Sequence, residues 1–283
     1  MATLPSKAMA PLELGWKPED LPPFPAIAVR ALHLISGTDT SLLELCDLIR
    51  SDPAFSTAVL RIANSPLVAF SKNITSVVQA SMLLGFRRLK SVVVTLALKA
   101  YLKNSYSPLL QSCWRHSVAT AIIAERAARL CALDKDFAYT AGVMHDIGRV
   151  AMASFLRETY AKALEKPANQ PYDVLTIERQ IFGIDHCQAG QSLANVWGLP
   201  VAFHSTIASH HELASRDWGA PSLLGPSCLM ADSLGFSVVP YRATQGYSDV
   251  LAHFLEPARH GLPAFDGDLV AEIKNEIDVI ESV

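Results

Sequence analysis

The chain has 283 residues, of which 50% are hydrophobic and 18% charged, with a formal net charge of −3. That composition suits a folded domain with a sizeable core and excludes a disordered polyelectrolyte. Charges of both signs are mixed along the chain, which leaves no electrostatic footprint for sequence-independent nucleic-acid binding.

Residues 1–20 lack a continuous apolar run and are broken by prolines, so they do not read as a targeting leader. "SVVVTLALKAYL" (91–102) is the longest apolar run, and Lys99 interrupts it short of a membrane span. The five cysteines, Cys46, Cys113, Cys131, Cys187 and Cys228, form no CxxC pair. Reduced thiols in a cytoplasmic protein are the reading this favours.

Taken in order, the elements are helix after helix. "SLLE" (41–44) is a capping box, with Ser41 and Glu44 exchanging hydrogen bonds. "SDP" (51–53) places a capping residue before Pro53 at the first helical position. "SVVQ" (76–79) is a second box, and Gly85 is a stop. "FRRLK" (86–90) then reads as a solvated helix face opening a long apolar segment.

"SP" (107–108) starts a helix running to about Leu130. In "FAYTAGVMHDIG" the residues Phe137, Ala141, Met144 and Ile147 recur at helical spacing. "DHCQ" (185–188) is a third box, opening a helix that Gly198 and Pro200 close. "VAFHSTIASHHEL" (201–213) and "SCLMADSLGF" (227–236) read as two more helices. Residues 266–283 form a last, acidic helix with Leu269, Ile273, Ile277 and Ile280 on one face. Only "FSVVPY" (236–241) alternates with period two. The fold class is all-α, with an N-terminal extension (1–20), an N-terminal helical lobe (21–104), a larger helical lobe (105–236) and a C-terminal extension (237–283).

Several ionisable residues point where the apolar ones point. His116 shares a stripe with Cys113, Thr120 and Ile123, and His145 a face with Ala141 and Gly142. His186 follows the cap Asp185, His210 and His211 align with Phe203, Ile207 and Ala208, and Asp232 falls among Cys228, Leu229 and Phe236. Any one of these histidines, taken singly, reads as a hydrogen-bonded core residue. Asp146 and Asp232 are harder to place, because an unpaired buried carboxylate costs on the order of several kcal/mol unless a cation offsets it. Arg149 is the one cationic side chain near either segment. A divalent metal would satisfy carboxylates and imidazoles together, and this donor mixture suits Fe, Mn, Zn, Co or Ni better than Mg or Ca.

With these residues in view, the chain resembles the HDOD (HD-related output domain) family of bacterial signalling proteins, within the HD superfamily of metal-dependent phosphohydrolases. The resemblance runs from Leu21 to about Phe236, through "LPPFPAIAVRALHLI", "LIRSDPAFSTAVLRIANS", "WRHSVATA", "AYTAGVMHDIGRVAM", "IFGIDHCQAGQSLANVWGLP" and "IASHH". It implies an HD-type helical bundle carrying an added N-terminal helical lobe. It also implies that His116, His145, Asp146 and Asp232 ligate a metal, with His186 and the pair His210–His211 matching the second-metal histidines of HD-GYP phosphodiesterases. One or two divalent ions are therefore expected. Arg149 stands where HD-GYP proteins carry Lys, and their "GYP" segment is missing after "HHE".

Two functions follow from the resemblance. The first is a regulatory output module that contacts a partner signalling protein through its N-terminal lobe, including "LLGFRRLKSVVV", with the metal structural or ligand-sensing. The second is a phosphohydrolase acting on a nucleotide, cyclic nucleotide or other phosphoester, with Asp146 and Arg149 as its catalytic groups beside metal-activated hydroxide.

Overall fold

In a computed structural model the described residues are 17, 23–36, 42–66, 68, 73–103, 107–165, 173–213, 219–238, 245–263 and 266–282, and among them there is no strand. The helices before residue 104 are α1 (Ala26–Ser36), α2 (Leu42–Arg50), α3 (Pro53–Ala63), α4 (Val77–Leu84) and α5 (Phe86–Lys103). Asp52 caps α3 by accepting from the backbone N–H of Ala54 and Phe55, and Pro53 occupies the first turn. Ser76 caps α4 through the Gln79 N–H, but the Gln79 side chain reaches back to Thr75 N–H, one residue further than a capping box requires. Gly85, at φ +78°, ends α4. The box expected at Ser41 lies outside the described residues.

The "FRRLK" stretch is not a solvated face. Arg87 remains exposed, but Lys90 is buried and donates from Nζ to the Leu34 carbonyl at 2.7 Å. Arg88 is drawn inward between Glu125 and Glu276, with its guanidinium over the Tyr139 ring. The physical reason is that α5 is a central helix, packed on α1 and α7, so only a narrow strip of it meets water. Within "LLGFRRLKSVVV" the second half, Leu89 to Val94, is buried.

The second group contains α6 (Pro108–Leu130), α7 (Lys135–Met144), α8 (Ile147–Leu164), α9 (Val174–Phe182), α10 (His186–Val196), α11 (His204–Ser209) and α12 (Leu224–Ala231). α6 is the buried axle, packed along α7, α8 and α12. Two close backbone approaches set the geometry. A Cβ on Gly142 would lie 2.5 Å from Ala121 Cα, which brings α7 against α6. A Cβ on Gly148 would lie 1.9 Å from the His186 carbonyl oxygen and 2.4 Å from Gly190 N, so α8 and α10 touch backbone to backbone.

Several helices differ from their expected form. The "HHEL" helix breaks early: Val201–Phe203 is a 3₁₀ turn and α11 ends at Ser209, which leaves His210 and His211 beyond the last helical residue. After α12 the chain widens into a π-turn over Asp232–Phe236, a form often found at functional positions. "FSVVPY" forms no strand over its described part, 236–238.

α13 (Tyr247–Leu251), α14 (Glu256–Gly261) and α15 (Asp266–Glu281) complete the order. Leu269, Ile273, Ile277 and Ile280 of α15 are buried as their spacing requires. Four of its acids face arginines: Glu272 faces Arg126, Glu276 faces Arg88, and Asp278 and Glu281 face Arg115 at 3.8 and 3.7 Å. Lys99 donates to the carbonyls of Ile280 and Glu281 at 2.8 and 2.9 Å, which caps the negative end of α15. One apolar cluster runs from Phe24 to Ile280. No described helix is long and apolar enough to cross a membrane.

Gly148→Ala should destabilise the protein by about 1–3 kcal/mol or more, because the added methyl meets backbone that cannot rotate away. Gly267→Ala on α15, where a Cβ would meet nothing within 4 Å, should be neutral or stabilising by up to about 1 kcal/mol. Urea denaturation midpoints of the two variants check both statements.

Candidate metal centre

α7 stops at Met144, and Asp146 has non-helical angles (φ −105°, ψ 21°) before α8 starts at Ile147. On a continuous helix these neighbours would diverge; the break lets His145 and Asp146 face the same interior point. Asp146 is fully buried, His145 1% exposed and Arg149 3%. Around them α6 supplies His116, the first turn of α10 supplies His186, the turn after α11 supplies His210 and His211, and the π-turn after α12 supplies Asp232.

Distances show which of these converge. Asp146 Oδ1 lies 3.3 Å from His186 Nε2 and 3.4 Å from His210 Nε2. Asp146 Oδ2 lies 2.9 Å from Arg149 Nε and 4.0 Å from His116 Nε2. His186 Nε2 is also 3.3 Å from His210 Nε2 and 2.9 Å from His211 Nε2, so both members of the adjacent pair reach the cluster. Asp232 stands apart from the Nε2 side: its Oδ1 is 3.4 Å from His116 Nδ1, the nitrogen that also faces the Phe236 carbonyl at 3.1 Å.

The imidazoles are oriented from behind. Nδ1 of His145 lies 2.7 Å from the Gly142 carbonyl and Nδ1 of His210 3.0 Å from that of Ile207. Nδ1 of His186 lies 2.6 Å from Glu178 Oε2, and the Tyr160 hydroxyl donates to Glu178 Oε1 at 2.5 Å. Each of these outward ring nitrogens is thus occupied, which leaves Nε2 facing inward, the arrangement metal-binding histidines use; Nε2 of His186 accepts from Arg149 Nη2 at 3.1 Å, a contact that a bound ion would displace.

Electrostatics keep the group in ligand form. Burial pushes the pKa of His116, His145 and His186 below the usual histidine value, outweighing their carboxylate neighbours, so the rings are neutral. Burial alone would raise Asp146, but Arg149 holds its carboxyl well below the usual range. His145 Nε2 has no hydrogen-bond partner, and neither does either Asp146 oxygen, so the contact with Arg149 is ionic only. Neutral imidazoles and an ionised carboxylate, buried and with His145 Nε2 and both Asp146 oxygens unpartnered, fit a divalent transition metal.

Among the described residues, three donor groups have ligand atoms within 4.8 Å of one another: His145, Asp146 and His210; His186, Cys187, His210 and His211; and His116, His145 and Cys228. The two cysteines and Glu178 were not among the residues expected from sequence. Cys187 and Cys228 carried a signal, one being next to His186 and the other a helical turn before Asp232. Glu178 carried none, since only the packing of α9 on α10 brings it to His186.

The sequence pattern of the HDOD domain matches residues 21–213. An uncharacterized protein of Treponema pallidum (strain Nichols) is 25% identical over 198 residues, covering 69% of this chain but only 38% of that protein. An HDOD domain protein of Geobacter sulfurreducens, of unknown function, superposes with a TM-score of 0.74 at 24% identity, over 93% of this chain and 91% of that one. A protein of Shewanella amazonensis SB2B, provisionally named a phosphohydrolase, gives 0.69 at 20% identity, over 94% and 96%. At such identities the two structures establish the fold.

The neutral histidines set a pH dependence. Because their folded pKa values lie below the unfolded value of about 6.5, the unfolded chain takes up protons first as pH falls. Their contribution is complete above about pH 6.5 and is lost as pH drops toward the folded values. Metal-free protein should therefore lose stability as pH falls below about 6.5, and His145→Gln should flatten that slope in denaturant titrations.

Proposed function

The chain belongs to the HDOD domain family, and on that premise we propose that it is a regulatory module built around a buried metal centre. One observation carries this reading. The donors converge on Asp146 largely out of reach of solvent, from 0% exposure at Asp146 to 3% at His210, and among them His211 alone is partly exposed. A phosphoester hydrolase needs its metal within reach of a substrate oxygen and an attacking water. Here the Arg149 guanidinium, the group that would clamp a phosphate, is spent on Asp146 and on His186 Nε2 at 3.1 Å.

His116, His145, His186, His210, His211 and Asp146 would hold one or two divalent transition ions. Bound metal would neutralise Asp146 and tie α6, the α7–α8 junction, α10 and α11 to one point. Glu178 and Tyr160 would orient His186, and Arg149 would balance the carboxylate. The output would be contact with a partner signalling protein, and the exposed apolar residues Leu43 and Met82, on the packed helices α2 and α4, are the positions to substitute first.

Plasma-emission analysis of protein never exposed to chelator should find a transition metal, lost in His145→Ala and Asp146→Ala. Unchanged metal content in both would return His145 and Asp146 to ordinary buried residues. Glu178→Gln should weaken metal binding by roughly 10–100-fold. Protein loaded in turn with Fe, Mn, Co, Ni and Zn should leave nucleotides, cyclic nucleotides and simple phosphoesters intact. Turnover abolished by Asp146→Ala would establish the hydrolase instead.

A further inference from the structure

Cys228 lies on α12, where no part of the family pattern reaches, and its Sγ is 3.5 Å from His116 Nε2. Sγ, the His116 ring and the His145 ring offer ligand atoms within 4.8 Å of one another, and all three residues are buried. His145 Nε2 is the independent sign of a missing ligand, being a buried ring nitrogen with no hydrogen-bond partner. His116 turns Nδ1 toward Phe236 and Asp232, which leaves Nε2 facing the sulfur.

We propose that Cys228 is a direct metal ligand and that, with His116 and His145, it makes a three-donor set for a zinc-class ion, Asp232 positioning His116 from behind. This rests on the metal centre proposed above and assigns its composition. The spacing fits: with Zn–N and Zn–S bonds of usual length, a tetrahedral N-to-S edge is roughly 3.6 Å. Sulfur and nitrogen donors together favour zinc or cobalt over manganese or magnesium. Binding exchanges the Sγ–H bond for a sulfur–metal bond and releases the proton to solvent. Cys187 is the rival thiol. The His210 nitrogen near it is Nδ1, at 3.9 Å, and that atom already faces the Ile207 carbonyl.

The test is titration of the full metal-free chain with Co²⁺, reading bound cobalt and the near-ultraviolet absorption that a thiolate–cobalt bond produces. Wild type should bind cobalt and show the band. Cys187→Ser should keep it. Cys228→Ser, with Cys228→Ala as a second variant should serine disturb folding, should lose it and bind cobalt about tenfold or more weakly. Cobalt bound by wild type without the band, or a band that disappears in Cys187→Ser and survives in Cys228→Ser, overturns the assignment while leaving the metal centre standing. No cobalt bound by wild type overturns both.

Discussion

A carboxylate with no access to water sits at the centre of this protein, and the surrounding structure is arranged to compensate it. Asp146 is fully buried and neither of its oxygens has a hydrogen bond. An isolated ion in that position would be strongly destabilising. Arg149, a turn along α8, supplies one positive charge at 2.9 Å, and the neighbouring imidazoles present lone pairs rather than protons. What remains are oxygen and nitrogen donor atoms brought together in the interior, the set a divalent transition metal takes.

Placing that carboxylate depends on backbone more than on side chains. The break between α7 and α8 turns two consecutive residues toward one point, and the glycine contacts bring α6 and α10 close enough to meet them. Gly148 matters most: it lets α8 lie against the first turn of α10, so His186 arrives beside Asp146 and Arg149 together. Asp185 holds that first turn through a full capping box with Gln188, and Arg179 pairs with Asp185 at 2.5 Å. A cap, a glycine and a helix break thus position the donors before any metal is considered.

Charged residues elsewhere do comparable structural work at helix ends. Lys90 reaches a carbonyl in the last turn of α1 and Lys99 those of α15, satisfying acceptors that the helices leave open. Arg88 joins α5 to α6 and α15 through Glu125 and Glu276. These contacts bind the C-terminal helix, which lies beyond the family pattern, to the helices within it.

Much of this was legible in the chain alone. Helical periodicity and caps at Asp52, Ser76 and Asp185 identified an all-α fold, because they depend on neighbours in sequence. The inward stripe of His116 and the adjacency of His145 and Asp146 marked the site for the same local reason. What stayed hidden depends on residues distant in sequence. That Lys90 is buried, that Glu178 backs His186, that Cys228 faces His116 Nε2 while Asp232 faces Nδ1, and that α15 pairs its acids with α5 and α6 are all outcomes of packing. Local pattern determined which residues form helices and which faces turn inward; tertiary structure decided what those faces meet, because a side chain's partner across the core is set by helix crossing and backbone approach, and neither is encoded in any single segment.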